Sequence, residues 1–184
     1  MIETYTKKYW LEELKNSCLF LENLYRKQEW SHELEFRCEK AIFAGFYAIR
    51  KLLESNLVEQ KIVDRNTKLI KYNPIDREAF ESAFSEKWTS AYKFINGDEW
   101  QLSLEKICNQ FIHSKIYSPF VPGGTWCVGI FFVSDRDYQK GVYYAQLVRV
   151  IETFLSATHG KSINLNLDID NENTISIKNI EKYT

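Results

Sequence analysis

Ala41-Ile42-Phe43-Ala44-Gly45-Phe46-Tyr47-Ala48-Ile49 is apolar almost all the way round a helix. With no polar face to offer solvent, such a helix has to be covered on every side, which places it at the centre of a helical bundle. Ala41, Gly45 and Ala48 form a seam of small residues where a neighbour can approach closely. Gly45 costs about 1 kcal/mol relative to alanine in a helix interior, and tight packing is the expected compensation. Upstream, Ser31 suits an N-cap, with Glu33 and Glu35 in the first turn. Downstream, the helix should reach Ser55 and stop at Asn56.

Working outward, a first helix is expected over residues 6–26, with Trp10, Leu11, Leu14, Cys18, Leu21, Leu24 and Tyr25 at helical spacing. Residues 61–72 alternate weakly around Asp64-Arg65-Asn66-Thr67, which reads as a small hairpin. A helical region should follow over 76–88, with another over 89–94. Asn96-Gly97-Asp98 reads as a turn, and Asp98 as the cap of a helix running to about Ile116. Trp126 to Ser134 is a short apolar run with strand character, although periodicity alone leaves a buried helix open. A last helix is expected over 139–157, stopped by Gly160. Residues 163–169 and 174–177 alternate around Asp170-Asn171-Glu172-Asn173, a hairpin signal. The fold class expected is mainly α: one helical bundle over 1–184 with small β-hairpin additions, the C-terminal hairpin (162–178) being appended.

Composition narrows the function classes. Hydrophobic residues at 45% and aromatics at 15% exclude a disordered chain. A formal net charge of -1 gives no global footprint for nucleic acid, so binding RNA would need a local basic patch. No stretch has the length of a membrane span, and the N-terminus lacks a signal-peptide pattern, so a cytoplasmic protein is expected. Cys18, Cys38, Cys108 and Cys127 are scattered without a C-x-x-C pair, which fits buried thiols.

The chemistry concentrates on Glu105-Lys106-Ile107-Cys108-Asn109-Gln110-Phe111-Ile112-His113-Ser114. At helical spacing, Leu104, Ile107, Cys108, Phe111 and Ile112 share one stripe. Lys106, Asn109, Gln110 and His113 gather on the opposite side. A cation, two amides and an imidazole projecting together can bind a phosphodiester; the plainer alternative is an ordinary solvated face. His32 and His159 have simpler explanations at the ends of helices, the latter through the helix C-terminus. Pro122-Gly123-Gly124-Thr125 lacks the lysine and the following helix of a phosphate loop.

The helix pair, the apolar 41–49 run leading into Arg50-Lys51-Leu52, and Cys108-Asn109-Gln110-Phe111-Ile112-His113 together resemble a HEPN-like domain. That resemblance implies a helical bundle, frequently dimeric, from a superfamily of metal-independent ribonucleases and toxins in microbial defence and toxin–antitoxin systems. Asn109 and His113 match the polar and histidine positions of its Arg-x4-6-His motif. Cys108 stands where the commonest form has arginine, and a thiol cannot hold phosphate as a guanidinium does. Lys106, seven residues before His113, supplies charge without the bidentate fork. Arg26 and His32 give a second, weaker match at the first helix junction. The resemblance implies His113 as general acid or base, Lys106 stabilising phosphate charge and Asn109 orienting the phosphate or the imidazole. No metal or other cofactor is expected. RNA, an antitoxin or another protein is the expected partner, in a homodimer. The function implied is a weak endoribonuclease or a cleavage-deficient RNA- or protein-binding relative. The alternative is a non-enzymatic, antitoxin-like regulatory subunit.

Overall fold

The computed structural model describes residues 2–24, 29–161, 163–169 and 175–182. Helices α1 (Ile2–Asn23), α2 (His32–Glu54) and α3 (Gln60–Val63) precede strand β1 (Asn66–Tyr72). Helix α4 (Arg77–Glu86) and a 3-10 turn (Trp88–Ala91) lead to β2 (Asp98–Ser103) and α5 (Leu104–Ile112). Strands β3 (Ser114–Phe120), β4 (Gly129–Ser134) and β5 (Val142–Gln146) follow, then α6 (Leu147–His159), β6 (Ile163–Ile169) and β7 (Ile175–Lys182).

Five of the strands form one antiparallel sheet in the order β2-β1-β5-β4-β3. The fold is therefore α/β, and the expected mainly-α bundle is corrected. The residues explain the difference. Val142-Tyr143-Tyr144-Ala145-Gln146 falls within the helix expected over 139–157, but it is strand β5, paired with both β1 and β4. β-Branched and aromatic residues suit a pleated surface with neighbours on both sides. The 61–72 hairpin resolves into α3 and β1, whose partners β2 and β5 lie far along the chain. Asp98 opens β2 rather than capping a helix; the cap of α5 is Ser103, whose Oγ accepts from Lys106 N at 3.4 Å. Helix α5 ends at Ile112, and Ser114 begins β3.

The reading of 41–49 as a run covered on every side holds in part: Ile42, Phe46, Ala48 and Ile49 are buried, whereas Tyr47 is 44% exposed, and the cover differs from a helical bundle. Phe46 of α2 stacks on Phe111 of α5 with ring centroids 4.2 Å apart, and Phe111 stacks on Phe132 of β4 at 4.1 Å. One column of rings thus runs from the outer helices through α5 into the sheet. The small-residue seam is filled by α6: a Cβ on Gly45 would lie 2.2 Å from the Phe154 ring. Ser31 caps α2 as expected, with its Oγ accepting from Leu34 N, and Gly160 ends α6 in the left-handed region at φ 64°. The other face of the sheet carries Tyr72, Phe131 and Tyr144, over which Trp88 and Phe94 pack.

β6 and β7 form a separate two-stranded sheet; its connecting turn lies outside the described residues. A buried carboxylate fastens this pair to the rest. Glu152 Oε1 accepts from Leu165 N (2.6 Å) and Arg149 Nη1 (2.6 Å). Arg65 reaches Glu152 Oε2 at 3.8 Å and donates to the Ile163 carbonyl at 2.9 Å and to Ser156 Oγ. Among the described residues no helix is long and apolar enough to cross a membrane.

Candidate functional site

Helix α5 sorts its residues much as its spacing predicts. Leu104, Ile107, Cys108 and Phe111 are buried in the core, and burial pushes the Cys108 thiol up to about 12. That thiol is a core group, unable to substitute for an arginine at the surface. Lys106 and His113 are exposed and Asn109 is half-buried. The three expected site residues line one cleft of about 550 Å³. Its floor is made by Leu102 of β2 and Tyr143 of β5, and Trp100 also lines it. His113 is the residue that ends the helix, at φ -108° and ψ 30°, so its ring stands at the cleft margin rather than on a helical turn.

The fourth polar residue of the predicted face behaves differently. Gln110 is buried, 7% exposed, and works as a clamp. Its Oε1 accepts from Ser134 N at 2.8 Å and its Nε2 donates to Asp137 Oδ2 at 2.6 Å. The β4–β5 turn is thereby tied to α5, with a further bond from Asp135 N to the His113 carbonyl at 2.9 Å. That turn brings Arg136 and Lys140 to the cleft. Asp137 is the one carboxylate among the lining residues, and Lys140 Nζ lies 2.7 Å from its Oδ1. The Lys140 ammonium, and then Gln110, hold the Asp137 carboxyl below its usual range. Burial, and then Asp137, push the Tyr143 phenol up, so it remains a neutral hydroxyl.

Three cations, an imidazole and three amides therefore surround the cleft against a single carboxylate that is already paired. An anion with several oxygens suits this set: lysine offers point charge, Arg136 a planar fork, and amides directional donors. Sequence reasoning missed Arg136 and Lys140, because thirty residues of chain separate them from Lys106 and only the turn geometry delivers them. It also missed Arg50. The guanidinium sought at position 108 exists nearby, but on α2: Arg50 Nη1 donates to Asn109 Oδ1 at 3.0 Å and approaches Glu105 Oε1 at 3.4 Å. With its oxygen so engaged, Asn109 has its amide NH2 as the group to offer a ligand. Arg50 is thus a positioning residue for Asn109, held in turn by Glu54 at 2.8 Å.

Of the secondary pair, Arg26 lies outside the described residues, and His32 is fully exposed at the start of α2. Among the described residues, no three His, Cys, Asp or Glu side chains gather as a metal-binding group. The helical scaffold that the HEPN-like resemblance implies is not the one this chain adopts; the sheet supplies the cleft floor, and its β4–β5 turn two of the three cations. Compared with protein-family models, curated proteins and solved structures, the chain matches none of them.

Proposed function

We propose that this protein binds the phosphodiester backbone of RNA in the α5 cleft, and that His113 gives it weak, metal-independent endoribonuclease activity there. One observation carries the reading: Lys106, Arg136, Lys140 and His113 converge on a cleft whose single carboxylate is neutralised by Lys140. That is the local basic patch a chain of net charge -1 needs for an RNA ligand. The cations come from two elements of one chain, so binding does not require a second copy to assemble them.

In the cleavage step the RNA 2′-oxygen attacks the adjacent phosphorus while His113 takes its proton. The bond from phosphorus to the 5′-oxygen breaks, and that oxygen leaves with a proton returned from the imidazolium or from water. Lys106 and Arg136 stabilise the added charge on the phosphoryl oxygens, and Asn109 orients one of them. A single imidazole without a partner base supports slow turnover.

The test is RNA binding and cleavage by the wild type beside His113→Ala and Lys106→Ala/Arg136→Ala. Loss of binding in the double variant, and loss of cleavage with retained binding in His113→Ala, is the expected pattern. Equal cleavage by wild type and His113→Ala removes the nuclease step and leaves an RNA-binding protein. The rival reading is a regulatory subunit that docks a protein through the exposed Tyr9, Leu19 and Phe36 of α1 and α2. It predicts no RNA affinity at all.

A further inference from the structure

The α5 cleft does not end at Trp100. Trp100 and Gln101 of β2 also line a second cleft, of about 400 Å³, that contains Lys68, Tyr144 and Arg149. Lys68 and Arg149 in turn line a third, of about 250 Å³, with Arg65. β2 is an edge strand, and Lys68 is the cross-strand partner of Gln101. The next phosphate-sized position beyond Trp100 is therefore one strand away from the first cleft.

Together the three clefts carry six cations against three carboxylates, on a chain whose formal charge is -1. Arg65 and Arg149 are engaged with the buried Glu152, so Lys68 is the uncommitted cation of the second cleft, which Glu99 also lines. Among the described residues no carboxylate lies within ion-pair distance of it. Trp100 stands at the crossing, 42% exposed, with Lys71 Nζ 4.7 Å from its ring centroid. An aromatic ring between two cationic clefts is the arrangement that holds a base with a phosphate on either side.

We infer that the binding track continues from the α5 cleft past Trp100 to Lys68, and that the ligand is a single strand several nucleotides long. This rests on the reading of the α5 cleft given above and adds the length and form of the ligand. The track has to turn over the edge of the sheet. A duplex resists bending over lengths far below its persistence length of about 50 nm, whereas a single strand turns at each unstacked base.

Fluorescence anisotropy with labelled oligouridylates of two and of about ten nucleotides, a typical single-strand site size, tests this. The wild type should bind the longer strand at least about tenfold more tightly, since each added phosphate contact releases counterions. Lys68→Gln should lose most of that gain, and its salt slope for the long strand should fall by about 0.7, one phosphate contact. Lys106→Ala should weaken both lengths. Equal affinity for the two lengths, a full length gain in Lys68→Gln, or equal binding of a duplex overturns the track and leaves the α5 cleft reading intact. If neither length binds the wild type, both readings fall.

Discussion

Two of the charged clusters in this fold treat their charges in opposite ways. Around Glu152 everything closes: the carboxylate is 3% exposed and accepts from Arg149 and Leu165 N, while Arg65 approaches its other oxygen. Around α5 the reverse holds. Lys106 and Arg136 reach the cleft without a carboxylate, and Lys140 shares the only one present. A buried charge has to be satisfied by its own protein, because leaving it unpaired costs several kcal/mol. Cations that gather at a cleft without partners repel one another and gain by an outside anion. The first cluster is architecture, joining α6, the link from α3 to β1 and the C-terminal strand pair. The second leaves Lys106 and Arg136 at an open cleft with no carboxylate paired to them among the described residues.

The contrast can be broken by mutation. The largest effect should come from Glu152→Ala, which strands Arg149 and Arg65 and leaves Leu165 N–H without its acceptor. With both arginines partly exposed, a loss of about 3 kcal/mol is expected. Thermal denaturation should register it as a fall of roughly 6–12 °C. A melt unchanged from the wild type would mean that the node does not hold the molecule together.

Gln110→Leu tests the link between architecture and cleft. It keeps the volume, removes the acceptor of Ser134 N and the donor to Asp137, and should cost about 2 kcal/mol. RNA affinity should fall with it, because the turn bearing Arg136 and Lys140 then keeps only the bond from Asp135 N to the His113 carbonyl at the end of α5. Retained affinity in a destabilised protein would separate the clamp from the cleft.

Lys106→Ala and Arg136→Ala belong at the other extreme. Each is an exposed cation, so stability should shift by no more than about 0.5 kcal/mol. RNA affinity should weaken without regard to sequence, and the salt slope should drop by about 0.7 for each. A marked loss of stability would make these lysine and arginine side chains structural after all.

The smallest effect is one of pH. Asp137 has its carboxyl held below the ordinary value of 3.8 by Lys140 and Gln110. The stabilisation is fully present above that value and is lost as pH falls through the lower, folded value. Acid unfolding of Asp137→Asn should therefore show a shallower pH dependence below about 3.8 than the wild type. Superimposable acid curves would remove Asp137 from the account.

Much of the candidate site was legible because it lies on one helix. The stripe Leu104, Ile107, Cys108, Phe111 and the opposite set Lys106, Asn109, His113 follow from a period that any single helix obeys. The cleft around them was not legible. Arg136 and Lys140 arrive on a turn positioned by Gln110, and Gln110 itself looked like a surface residue until Asp137 and Ser134 closed over it. Arg50 shows the same limit: its partner Asn109 lies 59 residues away along the chain.

The fold divides along the same line. Local chemistry alone determined the Ser31 cap, the left-handed stop at Gly160, the helical character of α2 and the tight approach at Gly45, since each depends on residues a turn or two apart or on a missing side chain. Only the tertiary structure decided that Val142–Gln146 is a strand and that β2, β1, β5, β4 and β3 make one sheet. A strand of five to seven residues makes no hydrogen bonds within itself. Its identity comes from the neighbour it pairs with, and here β1 and β5 meet across some seventy residues of chain.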